Sequence, residues 1–158
     1  MEFVNQGVEH LFVEAKLTAD TFELNTRAKN VLFTDSNYIE NVEIKATAIE
    51  DLIKSRITWN NNNTEGDDAG DLNFDIQFTN PENFKIYSEQ SWLNLNDTLW
   101  TIHDSGLISK NKKEYEFNKV LFTQNNQDVS INGFISEDPE KELAINIDSL
   151  SLSLLNPL

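Results

Sequence analysis

The stretch "DLNFDIQF" at positions 71–78 decides the fold class, because apolar and polar side chains alternate through it without a break. Its apolar members are Leu72, Phe74, Ile76 and Phe78. A period of two places successive side chains on opposite faces of a β-strand. The stretch therefore predicts a strand with one apolar face and one polar face.

The same period recurs along most of the chain, between polar turns such as "TNPENF", "KNKKE" and "TQNNQD". Short strands at a spacing of roughly ten residues predict about ten to twelve strands of an all-β protein. In "ATAIEDLIKSRI" (46–57) the residues Ile49, Leu52 and Ile53 would also fit one helical turn, but strand and turn are favoured because alternation resumes at Ile57 and Trp59. We expect an elongated, antiparallel-rich sheet.

Composition excludes several functions. The formal net charge of −15 would repel nucleic acids and anionic lipid surfaces. The absence of cysteine removes disulfides, thiolate metal sites and a cysteine nucleophile. Neither a signal peptide nor an apolar run of about 20 residues is visible. These features fit a cytosolic protein or a piece of a longer precursor, and the abrupt start and end favour the piece.

One polar stretch, "NNNNTEGDDAGD" at 60–71, is long enough for a loop. We expect it to divide a single unit, residues 1–158, into two stacked halves without acting as a domain linker. Its carboxylates, Glu65, Asp67, Asp68 and Asp71, do not follow the calcium-loop spacing, so a solvated acidic loop is favoured over a metal site.

The candidates for other chemistry are few. His103 and Asp104 are adjacent, but neighbouring strand residues diverge and no framed nucleophile lies nearby, so we predict no catalytic residues, no enzyme activity and no cofactor. Trp59 and Trp100 are in phase with neighbouring apolar residues. Trp92 is out of phase and is expected to be exposed, which leaves a glycan-binding or adhesive β-sandwich module as the alternative function.

The second half of the chain resembles a known family. "DTLWTI" at 97–102, "EYEFNKVLF" at 114–122, "NNQDVSINGFIS" around Gly133 and "DPEKELAINIDSLSLSLLNPL" at 138–158 follow the motif order of the TamB-like branch of the AsmA/TamB superfamily, particularly its Bacteroidetes-type members. The resemblance covers residues 97–158 well and extends to 52–78. His103 departs from the pattern, which has an uncharged or small polar residue there.

The resemblance implies a periplasmic section of a long protein that is anchored in the inner membrane and works with an outer-membrane barrel partner. Its sheet would fold into a taco-like trough, and the apolar interior would bind phospholipid acyl chains in transit between the membranes during outer-membrane biogenesis. The expected groove residues are Leu72, Phe74, Ile76, Phe78, Trp100, Ile102, Phe117, Val129, Ile131, Ile135, Leu143, Ile145 and Ile147.

Three further expectations concern the ends and charges of this sheet. The face of Leu143, Ile145 and Ile147 needs a cover, which the opposing wall and acyl chains would supply together. The phase changes after Ile147, so a bulge or turn is expected at 148–149. Open sheet edges predict edge-to-edge self-association. The lysines at 110, 112 and 113 are expected to lie together in a solvated turn, leaving no basic cluster for a lipid headgroup.

Overall fold

The computed structural model describes residues 7–33, 38–61, 68–95, 97–104 and 106–149. These residues form thirteen β-strands of one antiparallel sheet and no helix, which confirms the all-β prediction. The strands are β1 (Gly7–Glu9), β2 (Phe12–Leu17), β3 (Thr21–Leu32), β4 (Tyr38–Ile49), β5 (Leu52–Asn60), β6 (Ala69–Asn80), β7 (Asn83–Ser88), β8 (Ser91–Leu95), β9 (Thr98–Ile102), β10 (Leu107–Asn111), β11 (Glu114–Gln124), β12 (Gln127–Ile135) and β13 (Leu143–Asp148).

The sheet is a meander in which each long strand pairs with the next along the chain. In three cases, two short strands that follow each other in sequence lie end to end against the same partner strand. β1 and β2 both pair with β3, β7 and β8 both pair with β6, and β9 and β10 both pair with β11. The thirteen strands therefore make ten long strands in sequence order. Only neighbours in sequence are hydrogen-bonded, so the pairing is set by local turns.

Tight turns fix the register of several strand pairs. β4 ends at Ile49 and β5 begins at Leu52, and the two-residue turn between them starts at Glu50 with a φ of 53°. Lys112 and Asn125 occupy the same position in the β10–β11 and β11–β12 turns, with φ of 56° and 49°. Positive φ at this position is typical of turns that match strand twist. The prediction of strand and turn in "ATAIEDLIKSRI" is confirmed.

The polar stretch at 60–71 is shorter as a loop than the sequence indicates. β5 extends to Asn60, β6 begins at Ala69, and these two residues are paired. The ladder continues from there to Leu52 and Gln77. The halves of the chain are thus joined in one sheet through the pairing of β5 with β6, and the stacking of the halves stays a prediction.

A line of strand interruptions crosses the second half of the sheet. It consists of the break at 89–90 between β7 and β8, the break at 103–106 between β9 and β10, and the bulge at 118–119 in β11. Side chains bridge the breaks: the Ser88 hydroxyl donates to the His103 carbonyl at 2.7 Å, and Asn132 Oδ1 accepts from the Lys119 amide at 2.9 Å. A bulge bends its strand, so we expect the sheet to bend along this line.

The sheet has little enclosed core. Ala28, Val42 and Val120 are the buried hydrophobic residues among those described, and no large side chain there is fully buried. A sheet covered by a second layer buries one face completely. Most apolar side chains of the central strands are instead half-buried, which leaves the apolar face accessible to another molecule.

Candidate functional site: a continuous apolar face

One row of apolar residues crosses all ten long strands. Residues paired across an antiparallel ladder lie on the same face, so the register traces the row from strand to strand. We call it the apolar row, and its members are Leu17, Phe22, Ala48, Ile53, Ile76, Ile86, Ile108, Phe117, Gly133 and Leu143. Ten strands about 4.8 Å apart span about 43 Å, so the row is long enough to contact an extended hydrocarbon chain.

The thirteen groove residues expected from the sequence all lie on the face that carries the apolar row, here called the apolar face. Ile76, Phe117 and Leu143 belong to the row itself. The residues that alternate with row members along the same strands are Leu72, Phe74 and Phe78 on β6, Val129, Ile131 and Ile135 on β12, and Ile145 and Ile147 on β13. Phe122 pairs with both Val129 and Ile102, which places Ile102 and Trp100 on this face too.

The apolar face is open on the last strand. Leu143, Ile145 and Ile147 on β13 are 37%, 57% and 56% exposed. Within the described part of the chain, no opposing wall covers these three side chains. The face is also open at the first edge, where Leu17 on β2 is 78% exposed. The edge-to-edge association expected from these strands stays a prediction.

The turn expected after Ile147 is partly visible. β13 ends at Asp148, and Ser149 has a φ of 57°, a left-handed conformation that ends a strand. Leu150, where the phase changes, lies outside the described residues. Asp148 and Ser149, the two residues expected to form the turn, therefore lie at the end of the β12–β13 ladder.

Sequence reasoning missed three central members of the row, Ile53, Ile86 and Ile108. Leu107 and Ile108 are adjacent in sequence, so alternation alone leaves open which of them faces the groove. The ladder decides, because Ile108 pairs with both Ile86 and Phe117. The available signal was the alternation in the flanking strands, such as Phe84 and Ile86 on β7.

The three tryptophans are divided between the two faces, as the sequence predicted. Trp59 pairs with Gly70, and a Cβ at Gly70 would lie 2.1 Å from the indole ring, so the ring covers the glycine. Trp100 pairs with Leu93 on the same face. Trp92 points to the opposite face and is 39% exposed.

The candidate polar sites are used for structure. His103 Nε2 lies 2.9 Å from the Thr123 hydroxyl, and its carbonyl accepts from Ser88, so the ring is held by a hydroxyl at the strand break. Asp104 is exposed. Of the acidic loop, Glu65 and Asp67 lie outside the described residues, and Asp71 is paired with Arg56. Across the described ranges, no group of three or more metal-ligating side chains of the His, Cys, Asp and Glu types is found.

The opposite side of the sheet, here called the charged face, carries ion pairs between adjacent strands. Arg56 donates through Nε and Nη2 to both oxygens of Asp71, at 2.8 and 2.6 Å, and this hydrogen bonding lowers the pKa of Asp71. Hydrogen bonds from Lys45 and Arg27 likewise lower the pKa of Glu43. These pairs place charge in water on the side away from the apolar row.

Glu9 and Glu40, both paired with Asn30, are charges on the apolar face of the first strands, and from β5 to β13 the face carries one charge in paired register, Lys110. Its ammonium lies 5.8 Å from the centroid of the Phe84 ring and 5.9 Å from that of Tyr115. Both aromatic residues are its cross-strand partners. The expectation of a solvated turn shared with Lys112 and Lys113 is wrong for Lys110, because β10 extends to Asn111 and places it in the ladder.

Comparisons with protein-family models, with curated proteins and with solved structures find no match to this chain. In the part of the chain that the structure describes, no helix is long and apolar enough to span a membrane. A functional proposal therefore depends on the geometry of the two faces and on the sequence motifs.

Proposed function

We propose that this chain is a section of a lipid-conducting β-trough, in which acyl chains bind along the apolar row. The observation that supports the proposal is the continuity of the row, which crosses every long strand without a polar side chain. A conduit for hydrocarbon needs such a surface because each methylene that leaves water contributes about 0.8 kcal/mol. A binding site for a polar ligand would instead need convergent hydrogen-bonding groups.

The line of strand interruptions supports a trough-like shape. Two strand breaks and one bulge at the same level would let neighbouring strands bend together, and a bend towards the apolar row would bring its two sides closer together. The taco-like interior is part of the proposal. It explains why the central apolar residues are half-buried while Ile145 and Ile147 at the edge are more than half exposed.

The cellular setting follows from the sequence resemblance. The motif order of residues 97–158 favours a TamB-like protein, so we place this section in the periplasm of an inner-membrane-anchored protein that supports outer-membrane biogenesis together with a barrel partner. The charged face suits this role, because a surface of net negative charge keeps an elongated apolar sheet in solution.

The experiment is native mass spectrometry of the purified chain, followed by lipid extraction and analysis. We expect co-purifying phospholipid in the wild type and its loss in Ile145→Asp, since the new carboxylate would stand on the apolar face. Asn146→Asp is the matched control: it adds the same charge one residue further along β13, on the charged face, and should retain lipid. Thermal unfolding of both variants checks that the sheet is intact.

Two results would contradict the proposal. The first is a wild-type protein that carries no lipid and binds none when mixed with phospholipid vesicles. The second is equal lipid loss in Ile145→Asp and Asn146→Asp, because a general charge effect would then explain the result without an apolar binding face.

One observation favours the alternative, a glycan-binding or adhesive module. Trp92 is exposed on the charged face, beside Thr101 on the neighbouring strand, and an exposed indole can stack on a sugar ring. Glycan-array binding that is lost in Trp92→Ala and kept in Ile145→Asp would favour this function over the trough.

A further inference from the structure

Lys110 stands out because of where its charge is placed. Along strands β5 to β13, every other side chain of the apolar face in paired register is uncharged, although a quarter of the whole sequence, 25%, is charged. The lysine lies two residues from Ile108 of the apolar row, which is about 7 Å along the strand. A charge at this position is close to any hydrocarbon chain that lies in the row.

The surroundings of Lys110 are aromatic. Phe78, Phe84, Lys110, Tyr115 and Ile135 are paired in register and form a second row beside the apolar row, here called the rim row. The rings of Phe84 and Tyr115 flank the ammonium within the range of cation–π attraction. These contacts hold the lysine over the rim row instead of letting it extend into water.

The two carboxylates that flank Tyr115 on β11 are engaged on the other side of the sheet. Glu116 accepts a hydrogen bond from Ser109, the residue before Lys110, at 3.2 Å. Glu114 pairs with Lys141. Lys110 itself has no salt-bridge partner among the described residues. Its ammonium thus lies on the apolar face without a carboxylate counter-ion among the residues that the structure describes.

We propose that Lys110 binds the anionic head of an amphiphile whose hydrocarbon chain lies along the apolar row; this inference rests on the proposed function. An ammonium beside apolar surface gains most from an anion that brings its own apolar chain, because both parts of the ligand then find a partner. The ligand chemistry is a carboxylate or a phosphate on an acyl chain. A fatty acid and a phospholipid are the two sources.

The position of Lys110 near a strand end suits such a head group. β10 ends at Asn111, one residue later, and the turn that follows is exposed. The head would therefore stay in contact with water while the tail crosses Ile108 and its neighbours. With a net charge of −15, the chain repels anions in general, so binding of an anionic amphiphile needs a local cation of this kind.

The test compares dodecanoate with dodecanol by isothermal titration calorimetry, because the two ligands share one hydrocarbon chain and differ in charge. We expect the wild type to bind dodecanoate about tenfold more tightly, the effect of one charge-assisted contact. Lys110→Met keeps the apolar stem and should bind the two ligands equally. Lys110→Arg keeps the positive charge and should keep the preference for dodecanoate. Dodecyl phosphate, measured in parallel, distinguishes a phosphate-type head from a carboxylate.

Lys85→Met is the matched control. Lys85 lies on β7 next to Phe84, but it pairs with Gln77 and Ser109 on the charged face, so its removal should leave the preference unchanged. Equal binding of both ligands to the wild type, or an equal loss of preference in Lys85→Met, would overturn the assignment to Lys110 and leave the trough intact. Failure of all three ligands to bind would instead contradict the proposed function itself.

Discussion

The two faces of this sheet are made by the same strands and differ in almost every side chain. On β6, Ile76 contributes to the apolar row, while the next residue, Gln77, faces water between Leu52 and Lys85. On β5, Ile57 lies on the apolar face and Arg56 pairs with Asp71 on the charged one. The alternation in the sequence therefore sorts apolar side chains to one face of the sheet and charged side chains to the other. One face keeps the chain in solution, and the other is available to bind hydrocarbon.

The largest expected effect comes from placing the same charge on either face of β6. Ile76→Asp introduces a carboxylate between Ile53 and Ile86 and should lower the free energy of unfolding by about 3–4 kcal/mol, because it combines lost apolar contact with a desolvated charge. Gln77→Asp should change it by no more than about 0.5 kcal/mol. Urea denaturation of both variants measures the difference. Equal effects would mean that the two faces are not distinct.

A smaller effect on the free energy of unfolding is expected at Gly133, the member of the apolar row that has no side chain. Gly133 has a φ of 107°, and a Cβ there would lie 2.1 Å from the Glu142 carbonyl oxygen. Gly133→Ala should therefore cost about 2–3 kcal/mol through backbone strain and displacement of the chain that leads into β13. Hydrogen exchange should then be faster in β13 than in β5.

Gly7→Ala serves as the control for this substitution, because nothing lies within 4 Å of a Cβ at that position. Its unfolding free energy should stay close to that of the wild type. If Gly133→Ala were as stable as Gly7→Ala, the close approach of the Glu142 carbonyl would not constrain the edge of the sheet.

Sequence reasoning reached the fold class and selected thirteen residues that share the apolar face, because both depend on a period of two that each strand displays by itself. It did not reach the apolar row, which depends on which residues pair between strands. Adjacent apolar residues such as Leu107 and Ile108 have no internal signal for the face they occupy. Lys110 was misplaced for a related reason: "KNKKE" is uniformly polar, and the last residue of the strand is visible only in the ladder.

The smallest expected effect concerns the charged face and its dependence on pH. Arg56 lowers the pKa of Asp71 in the folded protein, so the pair stabilises the fold at any pH above the ordinary range of carboxyl groups. This contribution is lost as the pH falls through the lowered pKa, when Asp71 becomes protonated. Arg56→Gln should accordingly have a slightly lower Tm than the wild type at pH 7, with the gap closing in strong acid. Lys112→Gln, in a turn, should show no such convergence. A gap that persists after Asp71 is protonated would mean that Arg56 acts through the packing of its aliphatic stem, and the charged face would then stabilise the sheet by contact as well as by charge.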